Sequence, residues 1–176
     1  MARIDDLKPD ADKAADIVRD AGGKVVGRTR LQKVAYLLEL AGVGDGFVFE
    51  YRHYGPFCED LASATRKADL LGYLKEEECQ TAWGGFYSVF TTDRPLDEKV
   101  SFARRGLAQV AAKADSIELE LAATAAYLSL EGKEDAWEET ARLKPEKVEG
   151  GRLEQAKFLY ERFRQIKTPR ELPEIT

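Results

Sequence analysis

Helix, helix, strand, helix and hairpin signals follow one another over the first half of this 176-residue chain, and only helical signals follow over the second. That order predicts an α+β fold, mostly α. Three observations carry it: apolar residues recur at helical spacing in seven segments, aromatic and β-branched runs are few and short, and glycine or proline punctuates the junctions. The length suffices for one full core and is short for two, so residues 1–176 are read as a single domain. Its halves are 10–94, bearing the strands, and 95–167, a helical bundle.

Residues 10–21 place Ala11, Ala14, Ala15, Ile17, Val18 and Ala21 at helical spacing before the stop Gly22-Gly23. A second helix, capped by Thr29 or a neighbour, carries the stripe Leu31, Val34, Ala35, Leu38 and Ala41 and ends before Gly42. Residues 47–52, Phe-Val-Phe-Glu-Tyr-Arg, read as a strand that Gly55-Pro56 breaks. The third helix starts near Cys58-Glu59-Asp60, whose carboxylates suit a helix N-terminus, and closes at Gly72. A charged run from Tyr73, a polar tip with Gly84-Gly85 and the aromatic run 86–91 then form a β-hairpin. A hairpin after a third helix is the order of a winged helix-turn-helix, so the N-terminal half is expected to be winged-helix-like.

Four helices follow, over 100–114, 116–130, 134–143 and 153–166, the third stopped by Pro145. Residues 168–176, with Pro169 and Pro173, read as a flexible tail. Arg104-Arg105 is taken as a solvated face of the fourth helix.

The longest uncharged apolar stretch, 121–130, falls far short of the ~20 residues a membrane span needs. The N-terminus lacks the apolar core of a secretory signal, and Cys58 and Cys79 form no disulfide framework; a cytoplasmic protein with reduced thiols is expected. A net charge of −5 and pI near 5.1 argue against a general nucleic-acid binder. The charge is uneven: Lys24, Arg28, Arg30 and Lys33 put four cations and no anion into 22–38, whereas 115–147 holds nine acids against four bases. Such polarity suits steering of a charged partner onto one face.

His53 is the only histidine, so a zinc site would need irregularly spaced help from Cys58, Cys79 and carboxylates; no metal and no cofactor is expected. A thiol at a helix N-terminus makes Cys58 with His53 the one nucleophilic pair to weigh. No third orienting group or oxyanion hole accompanies it, and the glycine pairs lack nucleotide-loop spacing. The chain is read as no enzyme.

Arg28-Thr29-Arg30-Leu31-Gln32-Lys33-Val34-Ala35-Tyr36-Leu37, then Tyr54-Gly55-Pro56-Phe57-Cys58-Glu59-Asp60-Leu61, resemble the Panacea antitoxin domain, the SocA-like family also found in phage-associated and YwgA-type proteins. The stretch Leu119 to Leu128 and Leu143-Lys144-Pro145 resemble its C-terminal helical half, so the likeness spans roughly 12–165. Cys58 departs from the family's usual capping serine, and the tip Gln80-Thr81-Ala82-Trp83 matches no family role. The resemblance implies action by protein contact: neutralising a toxin in a toxin–antitoxin system, or adapting a partner for proteolysis.

Arg28, Arg30, Lys33, Tyr51, Arg52, His53 and Tyr54 are the candidate partner-binding residues, because Tyr and Arg beside one another are favoured interface anchors. Ordinary solvation, or pairing with Glu39, Glu50 or Asp60, is the competing account of these cations. The alternative function is a winged-helix DNA-binding regulator, yet its recognition helix carries only Arg66 and Lys67 against Glu59, Asp60 and Asp69.

Overall fold

Alanine-rich helix α1 (Asp10–Asp20) buries Ala14, Ala15, Ile17 and Val18 completely or nearly so. A computed structural model describes residues 8–176. After α1 come β1 (Lys24–Val26), α2 (Arg28–Leu40), β2 (Glu50–Arg52), β3 (Gly55–Phe57), α3 (Glu59–Leu70), β4 (Lys75–Gln80) and β5 (Phe86–Thr91). Then α4 (Phe102–Lys113), α5 (Ser116–Leu130), α6 (Ala136–Leu143), a 3-10 turn (Glu149–Gly151) and α7 (Arg152–Arg164) complete an α+β, mostly helical fold. Antiparallel strands form a three-stranded sheet in the order β1-β5-β4 and a separate two-stranded hairpin, β2-β3. No helix among the described residues is long and apolar enough to cross a membrane.

One apolar core runs through both halves, from Ala11 to Leu172. Leu119, Leu121, Ala122, Ala123, Ala125 and Ala126 are fully buried on α5, whose apolar residues almost encircle the helix and meet α2, α6 and α7. The alanines matter physically, because they let helices approach closely at little cost in side-chain entropy.

Several sequence expectations are corrected. The strand over 47–52 shrinks to Glu50–Arg52, and Gly55-Pro56 does not end it but lies in its partner, with Arg52 opposite Gly55. Pro56 is tolerated there because the ladder has only two strands. Lys24–Val26 forms an unexpected strand, too short to show a period between Gly23 and Gly27. Helix α2 is capped by Gly27 at φ +99°, not by Thr29.

Arg104 is no solvated residue: it is 8% exposed, and its Nε donates to Asp20, itself fully buried, at 2.7 Å. Another of its nitrogens donates to Asp45 at 3.0 Å and to the Val43 carbonyl at 2.9 Å. Asp20 also accepts from Arg19 at 2.9 Å, while Asp16 pairs with Arg19 and Arg94, both at 3.0 Å, and with Lys8. Burial alone would raise the Asp16 pKa, but the hydrogen bond from Lys8 and the charges of Arg19 and Lys8 hold it below the ordinary value. The network fastens α1 to α4 and to the loops after α2 and β5.

The segment 168–176, read as a flexible tail, lies against the helices. Leu172 is buried, the Arg170 amide donates to the Ala41 carbonyl at 3.0 Å, the Tyr160 hydroxyl to Pro173 at 2.5 Å, and the Thr176 hydroxyl to Glu134 at 3.0 Å. Burying one leucine contributes about 1.5–3 kcal/mol, which helps hold the segment in place.

Candidate functional site

Two residues of the first α2 turns, Gln32 and Lys33, spend their side chains on the backbone of the β2-β3 hairpin. The Gln32 amide donates to the Cys58 carbonyl at 3.0 Å and accepts from the Cys58 amide at 2.8 Å, the pair of bonds a neighbouring strand would make. Lys33 Nζ donates to the Pro56 carbonyl at 2.7 Å. From the other side Lys144 donates to the His53 carbonyl at 3.0 Å and to Glu120 at 2.8 Å, and Lys147 adds bonds to both Glu120 oxygens at 2.7 and 2.6 Å. Gly55 completes the arrangement: its φ is +89°, and a Cβ there would sit 2.6 Å from the buried hydroxyl of Thr124. Between two clamps of side chains the turn is fixed without belonging to the larger sheet.

Four candidate residues ride on that clamped turn. Tyr51, Arg52, His53 and Tyr54 are all exposed. Tyr51 packs on Tyr127 with ring centroids 5.9 Å apart, Tyr54 stands edge-on to His53 at 4.7 Å under Lys147, and Arg52 covers the Phe57 ring at 5.1 Å. Arg52 also donates to Glu50 at 2.8 Å, the pairing considered from the sequence. Glu39 instead accepts three loop amides, of Asp45, Gly46 and Phe47, at 2.7–3.0 Å.

Lys33 is the correction within the site. It is 1% exposed, and its ammonium is used to hold Pro56. Desolvation, reinforced by the charges of Lys144 and Lys147, lowers its pKa to about 7 despite Glu120 nearby.

Arg28, at the exposed start of α2, donates to Glu76 at 2.8 and 2.7 Å, and Ser88 donates to the same carboxylate at 2.7 Å. Arg30 is half-buried and pairs with no acid among the described residues; its Nε is buried without a partner, and desolvation lowers its pKa. A cleft of about 310 Å³ opens between α2, α3 and β4-β5, bringing together Arg28, Lys33 and Tyr54 with Leu31, Phe57, Ala62, Phe90, Glu59, Arg66 and Glu76. A second, of about 440 Å³, shares Arg28 and Thr29 with it and adds Arg30, Glu78 and Phe86. Tyr51, Arg52 and His53 line neither.

Cys58 caps α3, its sulfur accepting from the Leu61 amide at 3.4 Å, and burial pushes its thiol pKa up. A buried thiol held protonated is the opposite of an activated nucleophile. Among the described residues no group of three His, Cys, Asp or Glu could hold a metal ion.

Sequence reasoning missed Glu120, Lys144 and Lys147 as parts of this site. The acid in an apolar helix and the lysine before Pro145 were visible, but nothing local said that they meet the turn 91 residues from Lys144. Comparison with known proteins returned no match: no family model, no curated protein and no solved structure resembles the chain closely enough to count.

Proposed function

We propose that this chain is a non-enzymatic protein-interaction module of the Panacea-like antitoxin or proteolytic-adaptor kind, which binds and neutralises a protein partner in the cytoplasm. The observation that carries the reading is the clamp. Leu-Gln-Lys and Tyr-Gly-Pro-Phe, the two words of the family resemblance, are one physical unit: Gln32 and Lys33 hold the backbone of residues 56–58. What that rigid unit displays is Tyr51, Arg52, His53 and Tyr54, aromatic and cationic groups of the kind that anchor protein interfaces. A surface held in place before binding loses little entropy on contact.

The test is expression beside neighbouring toxic genes of its native host, with purification of the tagged chain. Rescue of growth and a stoichiometric co-purifying protein, both lost in Arg52→Glu/Tyr54→Ala, are expected. Neither rescue nor co-purification with the wild type would sink the reading.

A second reading, a winged-helix DNA-binding regulator, draws on topology. Strand β1 lies between α1 and α2, the sheet order is β1-β5-β4, and the β4-β5 hairpin follows α3, as in a winged helix. Against it, α3 exposes Glu59 and Asp60 beside Arg66 and Lys67. Binding to a defined duplex that persists at ~150 mM salt, with a salt slope reduced by about one on Arg66→Ala, would favour it.

A further inference from the structure

Strand β4 is an outer strand of the β1-β5-β4 sheet, and no strand among the described residues pairs with its far side. Its six residues face β5 in unbroken register, from Lys75 opposite Thr91 to Gln80 opposite Phe86, with no proline, glycine or bulge. Alternation along the strand tells which backbone groups point outward. The Thr81 amide donates toward β5, to the Gly85 carbonyl at 2.7 Å, whereas the Glu76 amide donates away from it, to the Asp69 carboxylate at 3.0 Å. The amides and carbonyls of Glu78 and Gln80 therefore face outward as well, and they meet no donor or acceptor among the described residues. Proline, a bulge or short length commonly blunts such an edge; here charge alone guards it. Residues 75–91 hold Glu76, Glu77 and Glu78 against a single base, Lys75. Arg28 neutralises Glu76, but Glu77 and Glu78 are exposed and form no ion pair among the described residues, so the outer edge carries unbalanced negative charge.

We propose that the outer edge of β4 takes an extended, lysine- or arginine-bearing segment of a partner protein as a fourth strand of the sheet. The backbone of Glu78 and Gln80 supplies the ladder, while Glu77 on one face and Glu78 on the other attract cationic side chains on both faces of the added strand. Charge complementarity selects that occupant. A second copy pairing edge to edge would bring Glu77 and Glu78 against the same acids, and a nucleic-acid backbone would meet them with like charge. Exposed Tyr87, opposite Cys79, and Phe86, opposite Gln80, offer apolar area on the two faces. The inference rests on the protein-binding reading and adds a second contact surface to residues 51–54.

The experiment pans a random peptide library displayed on phage against the full chain, titrates the best enriched peptide, fluorescein-labelled, by fluorescence polarisation, and follows amide hydrogen exchange of the complex by NMR. Enriched peptides are expected to carry Lys or Arg among β-branched or aromatic residues and no proline. On saturation the Glu78 and Gln80 amides are expected to become protected. Glu77→Lys/Glu78→Lys, both at exposed positions, is expected to weaken binding about tenfold or more and to flatten its salt dependence. A peptide N-methylated at alternate backbone amides, which keeps its charge but cannot complete the ladder, is expected to lose binding. Enrichment of acidic or uncharged peptides, no enrichment, equal affinity of wild type and Glu77→Lys/Glu78→Lys, or saturation without protection of Glu78 and Gln80 would each overturn the proposal. Its failure is separable from failure of the protein-binding reading: a co-purifying protein held equally well by Glu77→Lys/Glu78→Lys but lost in Arg52→Glu/Tyr54→Ala refutes the edge and leaves that reading standing.

Discussion

Replacing Lys33 with methionine probes the clamp through its own titration. The native pKa of about 7 lies well below the ordinary 10.5. Between those values the unfolded chain binds a proton that the folded chain does not, so stability rises with pH across that window and is lowest below about pH 7. At 1.36 kcal/mol per pKa unit, the buried amine costs about 4 kcal/mol at neutral pH and roughly 2 kcal/mol less at about pH 9. Methionine fills similar space and does not titrate, but it leaves the Pro56 carbonyl without its donor, a pH-independent cost of about 1–3 kcal/mol. The assay is urea unfolding of wild type and Lys33→Met at about pH 7 and pH 9, comparing the difference between the two proteins so that titrations common to both cancel. Relative to wild type, the variant should lose roughly 2 kcal/mol between the lower and the higher pH, so that an advantage shrinks or a deficit grows. A difference that stays constant over this range would refute a titrating Lys33 and with it the claim that Lys144 and Lys147 press on a desolvated amine.

Gly55→Ala should cost at least about 1–3 kcal/mol, since both the positive φ and the Thr124 hydroxyl oppose a Cβ; a urea midpoint equal to wild type would contradict this. Gln32→Leu strands the buried amide and carbonyl of Cys58 and is expected to lose about 2–4 kcal/mol by the same measurement. Asp20→Asn weakens the partner of Arg19 and Arg104 and should destabilise by up to about 3–5 kcal/mol, read by thermal unfolding. The lowered Asp16 pKa contributes stability that is present above the ordinary 3.8 and lost as pH falls through the native value, so Asp16→Asn should flatten the acid limb of the stability curve; an unchanged limb counts against the network.

The helices were legible because their signals are local. Stripes such as Leu31, Val34 and Leu38 repeat within one segment, and glycines such as Gly42 and Gly72 mark the ends. Arg104 and the C-terminal segment were misread for the reverse reason: their surroundings are made by α1, α2 and α7, distant in sequence, and an arginine or a proline looks the same in isolation whether buried or wet. Of the site, the residues of the exposed turn were legible as types, whereas the fate of Lys33 was not, because its position on α2 acquires meaning only once Pro56 and Glu120 close around it.

A turn held from both sides by Gln32, Lys33, Gly55 and Lys144 separates inheritance of shape from inheritance of preference. The backbone depends on those four positions, whereas residues 51–54 contribute outward-facing side chains on a frame that others maintain. Substitutions among residues 51–54 can therefore change the chemistry that the turn presents while the fold beneath it stays the same.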